Sequence, residues 1–288
     1  MHWLKAHEDR LQAHAHGELV IVRRPRRKCL QLEIVSRRRS DSSALLKEFG
    51  GRIGALPRDW LERFARGDSK PIKIGNRLTI VRPDALRTAH PTVHATKPAP
   101  LVIPASLAFG TGEHVTTAMS LHLLEQVTRC WNPGWSLVDL GTGSGILALA
   151  AKCFGADRVI GIDNDPAAIS VAKSNAQLNK IRGVSFQLGD VNKWNSAQET
   201  DVITSNLYSN LLIEILPKLG GNGWLILSGI LRSQQKELVR ALKRNRFGII
   251  NMKRLGKWVA ILAKRSDSVG GRRSFSRKFC GGRRPPLQ

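Results

Sequence analysis

The chain has 288 residues, with 46 Lys and Arg against 22 Asp and Glu, a formal net charge of +24, and an apolar fraction of 42%. Length and apolar content suffice for one large or two modest domains with a core, and the expectation is a soluble folded protein. No apolar run approaches the length of a membrane span, and Glu8 and Asp9 precede any hydrophobic stretch, unlike an export signal, so a cytoplasmic location is expected.

The positive charge gathers in runs at residues 23–28 and 37–39 and in the tail after Lys264. Such runs attract RNA or a ribonucleoprotein at a distance, although a solvated basic surface accounts for them equally well. Cys29, Cys130, Cys153 and Cys280 are scattered with no Cys-x-x-Cys pair, which points to reduced thiols rather than a zinc knuckle or a disulfide framework. His90 and His94 flank Pro91, which breaks any shared helical face, so no metal pair is expected there.

In chain order, residues 18–22 and 30–35 alternate as two short strands around a basic turn, and residues 41–49 read as a helix stopped by Gly50-Gly51. This predicts a small N-terminal α+β domain over residues 1–54. Trp60, Leu61 and Phe64 make the apolar stripe of a short helix, a linker over residues 55–69. Residues 71–81 alternate with period two around Gly75-Asn76, a hairpin signal, and residues 83–100 read as loop.

From Trp135 onward, strands and helices alternate. Strands are predicted at 137–139, 158–162, 184–188, 201–204, 224–228, 248–252 and 257–263, with helices at 144–154, 166–179, 209–219 and 233–245. The last two strands have no helix between them and should pair antiparallel at one edge. The fold class expected is therefore α/β, a seven-stranded, mostly parallel, Rossmann-like sheet of the class I methyltransferase layout, over residues 70–265. Residues 266–288 are Gly, Ser, Arg and Pro with little apolar content and read as a basic, disordered tail.

The most informative segment is Ser136-Leu-Val-Asp-Leu-Gly-Thr-Gly-Ser-Gly-Ile146, a buried-strand pattern running into a three-glycine turn. Gly141, Gly143 and Gly145 let the backbone turn sharply and approach a ligand without a Cβ in the way. The helix behind them offers free N–H groups to an anionic group. A dinucleotide enzyme would show Gly-x-Gly-x-x-Gly, whereas this loop is Asp139-x-Gly-x-Gly-x-Gly with Ile at 146, which favours S-adenosylmethionine. Asp163, eighteen residues after Gly145, ends the next strand and is placed to accept ribose hydroxyls. Asp190 follows the third strand, within reach of an adenine amine. Asn206 ends the fourth, where its side-chain carbonyl and the following backbone carbonyl can accept from an amine; an Asn there also serves as a helix cap.

Four segments together resemble the PrmA family. They are Leu107-Ala-Phe-Gly-Thr-Gly-x-His-x-Thr-Thr117, Asp139-x-Gly-x-Gly-Ser-Gly-Ile-Leu-Ala148, Gly161-Ile-Asp-x-Asp-Pro166 and Leu227-Ser-Gly-Ile-Leu231. The likeness extends from about Trp60 to Lys264, including Pro71-Ile-Lys-Ile-Gly75 and Lys257-Trp-Val-Ala260. The resemblance implies a bacterial S-adenosylmethionine-dependent enzyme that methylates amino groups of large-subunit ribosomal protein L11. It also implies that Thr117, Gly141, Asp163 and Asn206 touch the cofactor, with Gly143 in the same turn, and that His114 lines the pocket. Residues 1–54 carry little of the likeness and look shorter than the family's recognition domain, and Glu113-His-Val replaces its usual Thr-His-Pro.

Two other readings compete. A strongly basic enzyme repels a lysine-bearing basic protein unless RNA is present or its active face is acidic. An RNA base methyltransferase, with Asn206 holding a base amine, is therefore an alternative. The other is a non-catalytic RNA- or ribosome-binding protein that keeps the fold.

Overall fold

The computed structural model describes residues 19–22, 31–34, 43, 46–52, 71–83, 100–104, 114–194, 200–220 and 223–265. The expected linker helix, the glycine-rich segment before His114 and the basic tail lie outside them. The chain separates into two compact units, Met1–Trp60 and Leu61–Gln288, a division that falls inside the expected linker span.

In the first unit, β1 (Leu19–Val22) pairs antiparallel with β2 (Gln31–Ile34), with Leu19 opposite Ile34. Residues 46–49 are helical, and Gly50 ends the helix with φ +70° and its N–H on the Leu46 carbonyl at 2.9 Å. A left-handed residue at this position is what glycine supplies without steric cost.

The second unit opens with a three-stranded sheet. β3 (Ile72–Ile74) and β4 (Leu78–Val81) form the expected hairpin, and β5 (Leu101–Val102) adds in parallel to β4. This sheet is tied to the rest of the unit by side chains imitating a strand neighbour and a helix cap. Asn179 accepts from the Val102 N–H at 2.6 Å and donates to the Val102 carbonyl at 2.7 Å, while Arg77 donates to the Phe154 carbonyl at 2.7 Å.

A helix absent from the sequence reading follows: α1 (Val115–Thr128), N-capped by His114. Its buried residues include Thr116, Thr117, Met119, Ser120, Leu121, Leu123, Leu124 and Glu125, which cover most of its circumference and mix polar with apolar side chains, leaving Val115, Ala118, His122 and Gln126 half-buried on a narrow face. With polar residues on the buried side and Val115 and Ala118 on the open one, the amphipathic period that betrays a helix is blurred.

The main sheet then forms from β6 (Trp135–Leu140), α2 (Ile146–Cys153), β7 (Ala156–Asp163), α3 (Pro166–Leu178), β8 (Val184–Leu188), β9 (Val202–Asn206), α4 (Ser209–Ile215), β10 (Trp224–Leu231), α5 (Gln235–Arg244), β11 (Phe247–Leu255) and β12 (Trp258–Arg265). The strand order is β11-β12-β10-β9-β6-β7-β8, with β11 and β12 antiparallel as expected and the remaining five parallel. Every residue of β6 is buried. Its alternation splits the core: Leu137 packs with α1, α2 and α3, whereas Val138 and Leu140 pack with α4 and α5. Winding proceeds one way from β6 to β8 and the other way through β9 to β10. The crevice for a ligand therefore lies beyond the carboxyl ends of β6 and β9.

Cys153 is free and exposed, whereas Cys130 is disulfide-bonded, so the expectation of uniformly reduced thiols fails at that position. Spacing along the chain does not report which sulfurs the fold brings together. Among the described residues, no helix is long and apolar enough to cross a membrane.

Candidate active site

The turn after β6 is built on left-handed glycines, with φ +74° at Gly141, +53° at Gly143 and +79° at Gly145. The N–H groups of Gly141 and Thr142 both donate to the Ile162 carbonyl at 2.9 Å, which folds the turn over the end of β7. Asp163, the last residue of β7, closes the arrangement. One carboxylate oxygen accepts from the Gly143 N–H at 2.9 Å and the other from the Asp165 N–H at 3.0 Å. Each oxygen keeps a lone pair for a further donor.

Asp139 is more deeply involved than its place in the motif indicates. It is 1% exposed, and its two oxygens accept from Thr142 Oγ1 at 2.7 Å and Thr204 Oγ1 at 2.6 Å. Burial pushes its carboxyl up to about 6, against the opposing pull of these two hydroxyls. One buried carboxyl thus clamps the glycine turn to β9, the strand that carries Asn206. The sequence contained both threonines, but nothing in it placed Thr204 beside Asp139.

At the end of β9, Asn206 donates from Nδ2 to Thr117 Oγ1 at 3.3 Å, joining the strand to the first turn of α1. Its carbonyl oxygen Oδ1 is buried and has no hydrogen-bond partner. A second carbonyl lies beside it. A Cβ placed on Gly229, where φ is +83°, would stand 2.5 Å from the Leu207 carbonyl oxygen and 3.1 Å from Asn206 Oδ1. The bareness of Gly229 therefore keeps two acceptors close together. The slip in β10 register between Leu227 and Ile230 accommodates this residue, and next to it Ser228 Oγ meets Ser120 Oγ of α1 at 2.6 Å. A buried acceptor left unpaired costs on the order of 1–3 kcal/mol, which a ligand N–H would offset.

The structure thus brings together Thr117, Gly141, Gly143, Asp163 and Asn206. His114 caps α1 through Nδ1, 3.4 Å from the Thr116 N–H, and its ring packs edge-on to Trp258 at 5.0 Å. Burial, with Lys257 adding to it, lowers its pKa, which favours the neutral ring that such a cap requires. Asp190 is exposed and accepts from the Asn192 N–H at 2.9 Å. Sequence reasoning missed Asp139 as a clamp, Gly229, and the Ser120–Ser228 pair. The only available signals were the acid before the turn and an isolated Gly inside a strand pattern.

A doubly wound sheet in this order, with a glycine turn after the first core strand and an acid closing the second, defines a class I S-adenosylmethionine-dependent methyltransferase. The sequence narrows this further. The family model for ribosomal protein L11 methyltransferase (PrmA) matches residues 52–266, and the chain belongs to that family. A protein of Caldanaerobacter subterraneus subsp. tengcongensis named ribosomal protein L11 methyltransferase is 34% identical over 234 residues, 76% of this chain and 72% of that protein. One of the same name from Desulforapulum autotrophicum is 40% identical over 164 residues, 55% of this chain and only 53% of that protein. The crystal structure of ribosomal protein L11 methylase from Lactobacillus delbrueckii subsp. bulgaricus matches with a TM-score of 0.60 and 28% identity, covering 69% of this chain and all of that one.

Proposed function

We propose that this protein transfers methyl groups from S-adenosylmethionine to amino groups, a lysine side chain or an α-amine, of ribosomal protein L11. The observation that carries this reading is the buried, unpartnered Asn206 Oδ1 beside the Leu207 carbonyl, two acceptors matched to the N–H bonds of an amine. The residues present fit the cofactor: the turn of left-handed glycines exposes backbone without a Cβ, and Asp163 retains acceptor capacity for a diol. Bound there, S-adenosylmethionine supplies a methyl group on a sulfonium sulfur, open to displacement by an amine.

The protein's own part is binding and orientation. Gly141, Gly143 and Asp163 form the cofactor cradle, and Thr117 turns the Asn206 amide so that its carbonyl faces the crevice. Asn206 Oδ1 and the Leu207 carbonyl hold the amine by its N–H bonds, leaving the nitrogen lone pair free. A lysine amine has an ordinary pKa of about 10.4, and removal from water favours its neutral, nucleophilic form. Orientation of that amine is worth roughly 7–11 kcal/mol of barrier, so no general base is required.

Residues 1–54 serve in this reading as the substrate-recognition module, 55–69 as linker, 70–265 as the methyltransferase and 266–288 as an RNA-affinity tail, in a cytoplasmic protein. Contact with ribosomal RNA runs through the basic segments at 23–28 and 37–39 and through the tail. The test is to incubate the protein with methyl-labelled cofactor and either free L11 or ribosomal subunits. Label in L11 supports the reading, label in RNA would establish the alternative of a base methyltransferase, and label in neither would leave a non-catalytic binding protein.

A further inference from the structure

The cations of the methyltransferase unit are unevenly placed. Residues 114–194, from α1 through β8, hold seven Lys and Arg against six Asp and Glu, a net +1. Residues 232–265, which hold α5, β11 and β12, have eleven against the single acid Glu237, a net +10. A general basic bias would raise both halves of one sheet, so the excess is local.

The three elements adjoin in space. β11 is the edge strand, β12 lies next to it, and α5 covers them through Leu238, Ala241 and Leu242 against Phe247 and Ile249. The opposite side of α5 carries Lys236, Arg240, Lys243 and Arg244, all exposed and at the spacing i, i+4, i+7, i+8 that lines up one helical face. At 1.5 Å rise per residue this row is about 12 Å long. Exposed Arg232 and Arg246 extend it at either end, and Arg254 of β11 is joined to it by donating from Nε to Gln235 Oε1 at 2.9 Å. None of the four helix cations forms an ion pair among the described residues.

Helix stability does not explain the row. Lys243 and Arg244 complement the negative end of the α5 dipole, but Lys236 stands in the first turn and Arg232 just before it, where a cation is disfavoured. The chemistry of the heads is informative too. Five of the seven named cations are Arg, whose guanidinium fork matches phosphate oxygens two at a time. The apolar side of α5 is committed to the core, so the helix has nothing to insert into a bilayer.

We propose that the α5–β11 face is a docking surface for the phosphate backbone of RNA. It reads backbone rather than bases, because phosphate contacts position a protein without carrying sequence information. Its residues are distinct in the chain from the basic runs and the tail, and the proposal stands whether or not L11 is the methyl acceptor.

The test uses the full chain and a short fluorescein-labelled RNA duplex, with binding followed by anisotropy across a potassium chloride series. Losing four phosphate contacts in K236Q/R240Q/K243Q/R244Q is expected to lower the slope of log affinity against log salt by about 3.6, and affinity at low salt by at least about tenfold. K173Q/K180Q/R182Q, which removes exposed cations beside the opposite edge strand, is expected to change neither. An unchanged slope in the first variant, or an equal loss in the second, would overturn the proposal. So would a loss seen only with phosphatidylserine vesicles, which would assign the face to a lipid surface. Cofactor affinity and methyl transfer to free L11, measured on the same samples, are expected to be the same in parent and variants, so failure of the methyl-transfer reading would appear in the transfer assay and not in the RNA data.

Discussion

Gly229→Ala isolates the geometry of the acceptor pair without touching either acceptor. The new methyl would lie 2.5 Å from the Leu207 carbonyl oxygen, and ordinary contact begins at 3.4 Å, so that oxygen must retreat by about 0.9 Å. Relief is hard to find, because the obstacle is backbone and Asn206 Oδ1 blocks the neighbouring direction at 3.1 Å. A displacement of about 1 Å at a reacting group costs on the order of 100-fold in rate. The left-handed backbone adds a strain of roughly 1–2 kcal/mol for any residue with a Cβ. That strain lowers the melting temperature by about 2–8 °C for a unit of this size. Initial rates of methyl transfer to L11 and calorimetric binding of S-adenosylmethionine separate the consequences. Turnover is expected to fall by about 100-fold, with cofactor affinity changed far less. A folded variant with turnover within about twofold of the parent would refute the idea that these two carbonyls hold the amine.

Four further outcomes test the remaining assignments. Asn206→Ala is expected to depress turnover by about 100-fold, far more than cofactor affinity, with loss of the Nδ2 bond to Thr117 costing only about 0.5–1.5 kcal/mol of stability. Asp163→Ala should instead weaken cofactor binding in calorimetry; equal, small effects from these two changes would count against both roles. Asp139 has its carboxyl raised from 3.8 to about 6, so the folded state prefers the proton and stability falls as pH rises between these values. Melting temperatures of the parent should therefore decline relative to Asp139→Asn over that window, and parallel curves would remove Asp139 as a buried titrating clamp. His114 is shifted the other way: the unfolded chain takes up a proton below 6.5 that the folded state resists, so stability is lost as pH drops below that value. His114→Asn keeps a capping side chain without a titrating ring, and it should melt with less dependence on pH in that range.

How far the sequence alone reaches can be judged at particular residues. The turn of Gly141, Gly143 and Gly145, the acid at 163 and the Asn at 206 were legible because each follows directly from a buried strand, and backbone freedom and strand termini are local properties. The antiparallel β11–β12 pair was legible for the same reason, since two strands without a helix between them can only fold back. Tertiary structure decided what depends on neighbours distant in the chain. α1 escaped notice because its buried side carries Thr116, Thr117, Ser120 and Glu125 among the apolar residues, which blurs its period, and with it went the contact between Thr117 and Asn206, residues 89 positions apart. Asp139 meets Thr204 across 65 positions, and Gly229 earns its place only because the Leu207 carbonyl lies against it. Composition reported the positive charge as a total, whereas the sheet order and the side of α5 turned to solvent determine where that charge accumulates. Local conformational preference is written residue by residue, but proximity across a sheet is set by packing, and the acceptor pair and the cationic face exist only through packing.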